Sequence, residues 1–274
     1  MKILNIFLSV AIVAVLTSCG SEAERTARKE ARKEAKEGWV RLFDGKTTNG
    51  WRGYNSTEFP SANWEVVDGT FHCFGIGKGE MTNTDIITEK KYGNFELSLE
   101  WKLSQGGNSG IFIMVQEIPD VEIYKSAPEM QVLDNINHPD AKLGINGNRQ
   151  AGSLYDMIPA VPQNAKPIGE WNQVGIIVDQ GKVIFRQNGV DVVTFTLGTE
   201  EWRQMCENSK FKDWTWFVNI AKEGYIGLQD HGFEVWYRNI KIRVFPDRIS
   251  RTERYFLPVL FPQRPAAFPL CSLL

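Results

Sequence analysis

From Phe95 to Ser104 the chain alternates without a break, with Phe95, Leu97, Leu99, Trp101 and Leu103 on one parity and Glu96, Ser98, Glu100, Lys102 and Ser104 on the other. Successive side chains of a strand point to opposite faces, so this run forms a strand with one face in a core and the other toward water or ligand. Turn signals recur at short intervals on both sides of it. Asn55-Ser56, Asp68-Gly69, Gly106-Gly107-Asn108, Gly147-Asn148, Gln180-Gly181 and Asn188-Gly189 each separate β-rich runs. The last of them predicts a hairpin between Val183 to Gln187 and Val190 to Phe195. Only Thr199 to Asn208 reads as helical, with Thr199 at the N-cap and carboxylates behind it. Nine Trp, 16 Phe and 24 Gly suit short strands and tight turns better than a helical bundle. The expected fold is all-β: a sandwich of two antiparallel sheets in one domain, residues 38–245, with one short helix.

The two ends read differently. Lys2, an apolar run from Ile3 to Leu16 and then Thr17-Ser18-Cys19 have the shape of a secretory leader over residues 1–18, short for a membrane span. The small residue before Cys19 resembles a bacterial lipoprotein cleavage site. Cys19 is therefore expected to carry lipid and tether the protein to a membrane of the bacterial cell envelope. Residues 19–37 form a spacer rich in Glu, Lys, Arg and Ala with no apolar stripe, expected to be solvated and partly helical. Residues 246–274 contain five of the 12 prolines and no alternation, the mark of an atypical, weakly packed tail. Cys73, Cys206 and Cys271 show no C-x-x-C pair and no zinc spacing, and a Cys73–Cys206 disulfide is open to an exported chain. With 31 Lys and Arg against 33 Asp and Glu, the chain lacks the basic footprint of a nucleic-acid binder.

Period-two geometry also sorts the unusual polar residues. In Glu129-Met130-Gln131-Val132-Leu133-Asp134, Met130 and Val132 take the core side, which puts Glu129 and Gln131 together on the other. In Tyr225-Ile226-Gly227-Leu228-Gln229-Asp230-His231, Ile226 and Leu228 go inward, so Gln229 and His231 share the outward face if the strand persists. A carboxylate, an imidazole, amides and aromatic rings are a set that binds a sugar and moves a proton on it. His138, in Asn137-His138-Pro139-Asp140, is a second imidazole that could equally hydrogen-bond within its own loop. Arg238 has the parity of Trp236, Ile240 and Ile242, so it faces inward or sits at a bulge, where an ion pair is as natural as a ligand contact.

Several motifs together resemble the 3-keto-disaccharide hydrolase domain. They are Leu42-Phe43-Asp44-Gly45-Lys46 with Gly50-Trp51, Gly107-Asn108-Ser109-Gly110-Ile111-Phe112, Glu129 to Asn135 with His138-Pro139-Asp140, and Gly152-Ser153-Leu154-Tyr155-Asp156. Gly169-Glu170-Trp171-Asn172, Leu228-Gln229-Asp230-His231-Gly232 and Arg238-Asn239-Ile240-Lys241 complete the set, in order, between about Gly38 and Val244. The resemblance implies a concanavalin A-like jelly roll, export, and action on glycosides whose C3 hydroxyl has been oxidised to a ketone. Met130 stands where an aromatic residue is common in that family, a change that bears on a sugar subsite.

A C3 ketone acidifies the C2 hydrogen, because the carbanion left behind is delocalised onto the ketone oxygen. The glycosidic bond can then break by elimination, with water adding back to give net hydrolysis. That chemistry assigns Glu129 as base and His231 or His138 as acid or metal ligand. Gln131, Gln229, Asn108, Tyr155, Asp134 and Arg238 are the expected substrate contacts. A divalent metal polarising the ketone is a further expectation. A direct glycosidase would need two facing carboxylates, and Glu129 and Asp134 have opposite parity; a lectin-like module would use the amides and rings without a base.

Overall fold

The computed structural model describes residues 22–75 and 84–246. The leader with Cys19 and all but the first residue of the 246–274 tail lie outside the described residues, so the readings made for them are not addressed by the fold.

Two antiparallel sheets pack face to face. The larger comprises β1 (Trp39–Arg41), β3 (Trp64–Val67), β4 (Thr70–Cys73), β6 (Phe95–Leu103), β9 (Asn172–Asp179), β10 (Lys182–Gln187), β11 (Val190–Thr196) and β13 (Val235–Val244). The smaller comprises β2 (Trp51–Gly53), β5 (Ile86–Thr88), β7 (Asn108–Val115), β8 (Glu129–Leu133) and β12 (Tyr225–Leu228). Spatial order is β11-β10-β9-β6-β13-β4-β3 in the first sheet, with β1 on the far half of β13, and β2-β5-β12-β7-β8 in the second. The chain crosses repeatedly from one sheet to the other, as a jelly-roll sandwich requires.

β6 carries the alternation through nine residues, inner positions buried and outer ones half-buried. Its register sets Leu97 beside Ile176 and Ile242, so three strands present one apolar row inward. Opposite them lie Ile111, Ile113, Met130, Val132, Ile226 and Leu228 of the smaller sheet. Each such side chain contributes about 1.5–3 kcal/mol by leaving water. The Asn188-Gly189 hairpin joins β10 and β11 as expected, both residues having positive φ.

β7 is buried on both faces along its whole length. Ile111 and Ile113 enter the main core, whereas Phe112 and Val115 join Ile87, Ile123 and Ala127 in a second, smaller cluster outside the sheet. That cluster covers one end of the smaller sheet's outer face. The other end, where β7 and β8 carry Asn108, Gly110 and Gln131, is lined instead by polar groups.

Helix content exceeds the expected short helix and partly helical spacer by one turn. α1 (Glu22–Lys36) spans most of the charged spacer, and its Glu34 receives a hydrogen bond from Lys241 at 2.7 Å and faces Arg41 at 3.5 Å. Those two cations hold the Glu34 carboxyl below its ordinary range. α2 (Glu200–Glu207) is the expected helix, with the Thr199 hydroxyl accepting from the Trp202 N–H. α3 (Thr215–Val218) is a single turn, too short for periodicity to reveal. Cys73 and Cys206 are both buried free thiols, in β4 and α2, so the disulfide is not formed.

β13 decides between the two readings of Arg238 in favour of the bulge. Its register shifts between Arg238 and Lys241, with Asn239 at φ 54. The extra residue of such a bulge reverses parity. Val235 and Tyr237 point inward before it and Ile240 and Ile242 after it, leaving Trp236 and Arg238 on the outer face of the larger sheet.

Candidate active site

A cavity of about 280 Å³ opens on the outer face of the smaller sheet, near the small end of ligand sites. Its floor is built by strand parity. With Met130 and Val132 turned into the core, Glu129 and Gln131 of β8 face the cavity, and Asn108 of β7 lies beside them. β12 ends at Leu228, but the Gln229 N–H still donates to the Gly110 carbonyl at 3.0 Å, so alternation continues one residue further. The next residue then turns the chain. Asp230 donates its N–H to Asp85 at 2.8 Å and accepts from the Thr84 hydroxyl and, at 2.9 Å, from the Gly232 N–H. This brings His231 into the cavity, stacked on Phe233 with centroids 5.9 Å apart.

The walls come from further away in sequence. Tyr155 closes one side, its hydroxyl donating to Asp140 at 2.9 Å, while Arg149 bridges Asp140 and Asp156. Lys210, Phe211, Trp214 and Phe217 form the other with Tyr124; Phe211 stacks on Phe217 at 4.3 Å and Trp214 packs on Tyr124 at 5.5 Å. Sequence reasoning passed over this 209–217 segment, although its density of aromatic residues and lysine beside a β core was a usable sign.

Glu129 lies against a missing side chain. A Cβ on Gly110 would sit 2.2 Å from Glu129 Oε1 and 2.7 Å from its carboxyl carbon, so glycine is what lets the carboxyl rest on β7. Glu129 is only 8% exposed. Burial pushes its carboxyl up to about 8; the Lys210 ammonium pulls the other way, and Asp85 and Asp140 add repulsion. Burial lowers the His231 imidazole below its ordinary value. Asn108 Oδ1, Gln229 Oε1 and His231 Nδ1 are buried with no hydrogen-bond partner among the described residues. Leaving a buried polar atom unpaired costs about 1–3 kcal/mol, so three acceptors around one cavity are places for ligand donors such as sugar hydroxyls.

A family profile described as the 3-keto-alpha-glucoside-1,2-lyase-like domain matches residues 38–243. The chain belongs to this family. The chain is 48% identical over 229 residues to a 3-keto-disaccharide hydrolase from Bacteroides thetaiotaomicron, an alignment covering 76% of this chain and 79% of the relative. A solved structure from Parabacteroides distasonis, provisionally named a glycosyl hydrolase, superposes with TM-score 0.70 at 31% identity, covering 78% of this chain and 97% of that one. A second from the same organism gives 0.59 at 26%, covering 76% and 99%. The protein is thus a carbohydrate-active enzyme on a jelly-roll scaffold.

Six of the expected site residues meet in the cavity of the lyase-like domain: Glu129, Gln131, Gln229, His231, Asn108 and Tyr155. Three do not. His138 caps the 3-10 turn Pro139–Lys142, its Nδ1 accepting from the Asp140 N–H at 3.1 Å, and its ring meets Phe233 edge-on. It packs on the same ring that His231 stacks on. Asp134 accepts from the Gly106, Ile136 and Asn137 N–H groups and from the Asn137 side chain, tying down the loop after β8. Arg238 pairs with Glu100 at 2.7 Å and lies over the Trp171 ring, on the opposite sheet from the cavity. Met130 is fully buried between the sheets and does not line the cavity.

The donors do not fit a dedicated metal centre. Among the described residues no cluster of three His, Cys, Asp or Glu could hold an ion, and the cavity offers one carboxylate and one imidazole with neutral amides around them. A divalent ion there would draw most of its coordination from the sugar itself.

Proposed function

We propose that the lyase-like domain cleaves the glycosidic bond of 3-keto-glycosides, 3-keto-disaccharides among them, by C2 proton abstraction, elimination of the C1 substituent and addition of water. The observation that carries this is a single buried carboxylate, Glu129, seated on Gly110 among unpaired acceptors. Among the described residues it is the only carboxylate lining the cavity, so the two-carboxylate machinery of a direct glycosidase lacks its second member. A lectin has no use for a carboxyl held in so costly a place.

Asn108 and Gln229 accept from sugar hydroxyls and orient the ring. Ionised Glu129 takes the C2 proton, and a proton on His231 goes to the departing C1 oxygen. The two groups share one proton at neutral pH, mostly on Glu129, since its carboxyl is raised to about 8 and the imidazole is lowered. The productive form is the minority in which the proton has moved to His231. The rate kcat/KM is therefore expected to follow a bell: it falls at low pH when both groups hold protons, and falls again above about pH 8 when the last proton leaves the pair. A rate that climbs through pH 8 to a plateau would mean that no protonated acid is needed.

The reaction is tested by incubating the purified protein with a 3-keto-glucoside and its unoxidised parent in deuterated water, with and without a chelator. Elimination and rehydration place deuterium at C2 of the product; displacement at C1 leaves it unlabelled. Equal cleavage of the parent supports a conventional glycosidase, and tight binding without turnover supports a lectin. Loss of activity with chelator that added metal restores would assign the Lewis-acid role to an ion after all.

Leu16-Thr17-Ser18-Cys19 supports export and lipid attachment at Cys19, facing the substrate from the cell envelope. Cys19→Ala should move the protein out of the detergent phase; unchanged partitioning goes against the anchor.

A further inference from the structure

One cation at the cavity has no task in the scheme above. Lys210 follows α2 on an exposed segment, yet its ammonium turns back to 4.2 Å from the centre of the Tyr155 ring and 5.4 Å from that of Phe211. No other Lys or Arg among the described residues lines the cavity. The nearby carboxylates are engaged elsewhere: Asp140 receives Arg149 and the Tyr155 hydroxyl, and Asp156 receives Arg149. Lys210 makes no ion pair or hydrogen bond among the described residues. Its visible partners are the faces of two rings, a weak hold that leaves the N–H donors available.

Proton abstraction at C2 places negative charge on the C3 oxygen, and that oxygen needs a donor. Of the buried unpaired atoms of the floor, Asn108 Oδ1 and Gln229 Oε1 are acceptors and would repel it, their amide N–H groups are neutral, and the proton of His231 is committed to the leaving oxygen. Gln131 has its Oε1 committed to the Val132 N–H at 2.9 Å and offers only a neutral amide. We infer that Lys210 is the electrophile of this site, its ammonium donating to the C3 oxygen of a 3-keto-sugar and stabilising the enolate formed there. This rests on the elimination chemistry proposed above. In the step, the C2–H bond breaks with its proton going to Glu129. The electron pair forms the C2=C3 bond, and the carbonyl π pair moves onto oxygen beside Lys210, which keeps its own proton. When the enolate collapses, C1=C2 forms, the C1–O bond breaks, and the leaving oxygen takes a proton from His231.

The test uses the purified protein with 4-nitrophenyl 3-keto-glucoside, following C2 deuterium exchange and nitrophenolate release separately from pH 5 to 10. Variants Lys210→Met and Lys210→Arg are first matched to the wild type by melting curve, with Lys210→Gln in reserve should the Met variant unfold. The Met variant is expected to lose about 10²–10³-fold in the maximum rate of both exchange and release at every pH, and the Arg variant to retain more of each. A Met variant whose full rate returns at a shifted pH overturns the proposal, since Lys210 would then act only on the ionisation of Glu129. So does a Met variant within threefold of wild type, or a cyanoborohydride-trapped adduct on Lys210, which would make it a Schiff-base nucleophile. A wild type that cleaves the unoxidised parent as well as the keto compound overturns the elimination reading itself, independently of any Lys210 variant.

Discussion

Glu129→Gln should lower turnover of a 3-keto-glucoside by about 10²–10⁴-fold while making the protein more stable at pH 8. The loss follows from removing what is, among the described residues, the only carboxylate lining the cavity while keeping the side-chain shape. The gain follows from linkage. In the folded state the Glu129 carboxyl is raised from 4.5 to about 8, so the folded protein holds this proton more tightly than the unfolded chain does. Its contribution is fully favourable below the unfolded value and is lost as pH rises through the folded one, at up to about 1.4 kcal/mol per pH unit. A neutral amide carries no such penalty. The melting temperature of Glu129→Gln relative to wild type should therefore rise between pH 5 and pH 8. A variant equally or less stable at pH 8, or active within tenfold, would remove Glu129 from the role of buried base.

Gly110→Ala should be nearly as damaging to catalysis although it adds one methyl group and touches no substrate-binding side chain. The new Cβ would lie 2.2 Å from Glu129 Oε1, 2.7 Å from its carboxyl carbon and 2.8 Å from Cγ, so the carboxyl has to leave its seat. Displacing a reacting group by about 1 Å can cost on the order of 10²-fold. Activity is expected to fall by that order, with the sheet retained because Gly110 has an ordinary strand backbone, outside the positive-φ positions. Circular dichroism and steady-state kinetics on the same preparation decide it. Near-normal turnover would mean that Glu129 works from another rotamer and that the cradle is incidental.

Much of this molecule can be derived from the chain alone, because a β-strand has a period of two. Parity in Phe95 to Leu103 gave the core face of β6, and parity around Met130, Val132, Ile226 and Leu228 put Glu129, Gln131 and Gln229 on the opposite face. A helix cap at Thr199 and a hairpin at Asn188-Gly189 were legible for the same reason, being local chemistry. Parity fails where a strand gains a residue. The bulge at Asn239 moved Arg238 to the outer surface, and parity, which left Arg238 either facing inward or at a bulge, could not choose between the two. It also says nothing about approach between distant segments. Only the packed fold showed that Glu129 rests on Gly110, that Asp85 and Asp230 turn His231 into the cavity, and that the 209–217 segment closes over Tyr155. The raised Glu129 carboxyl belongs to that second class, since burial is a property of everything packed around a side chain and not of its neighbours in sequence.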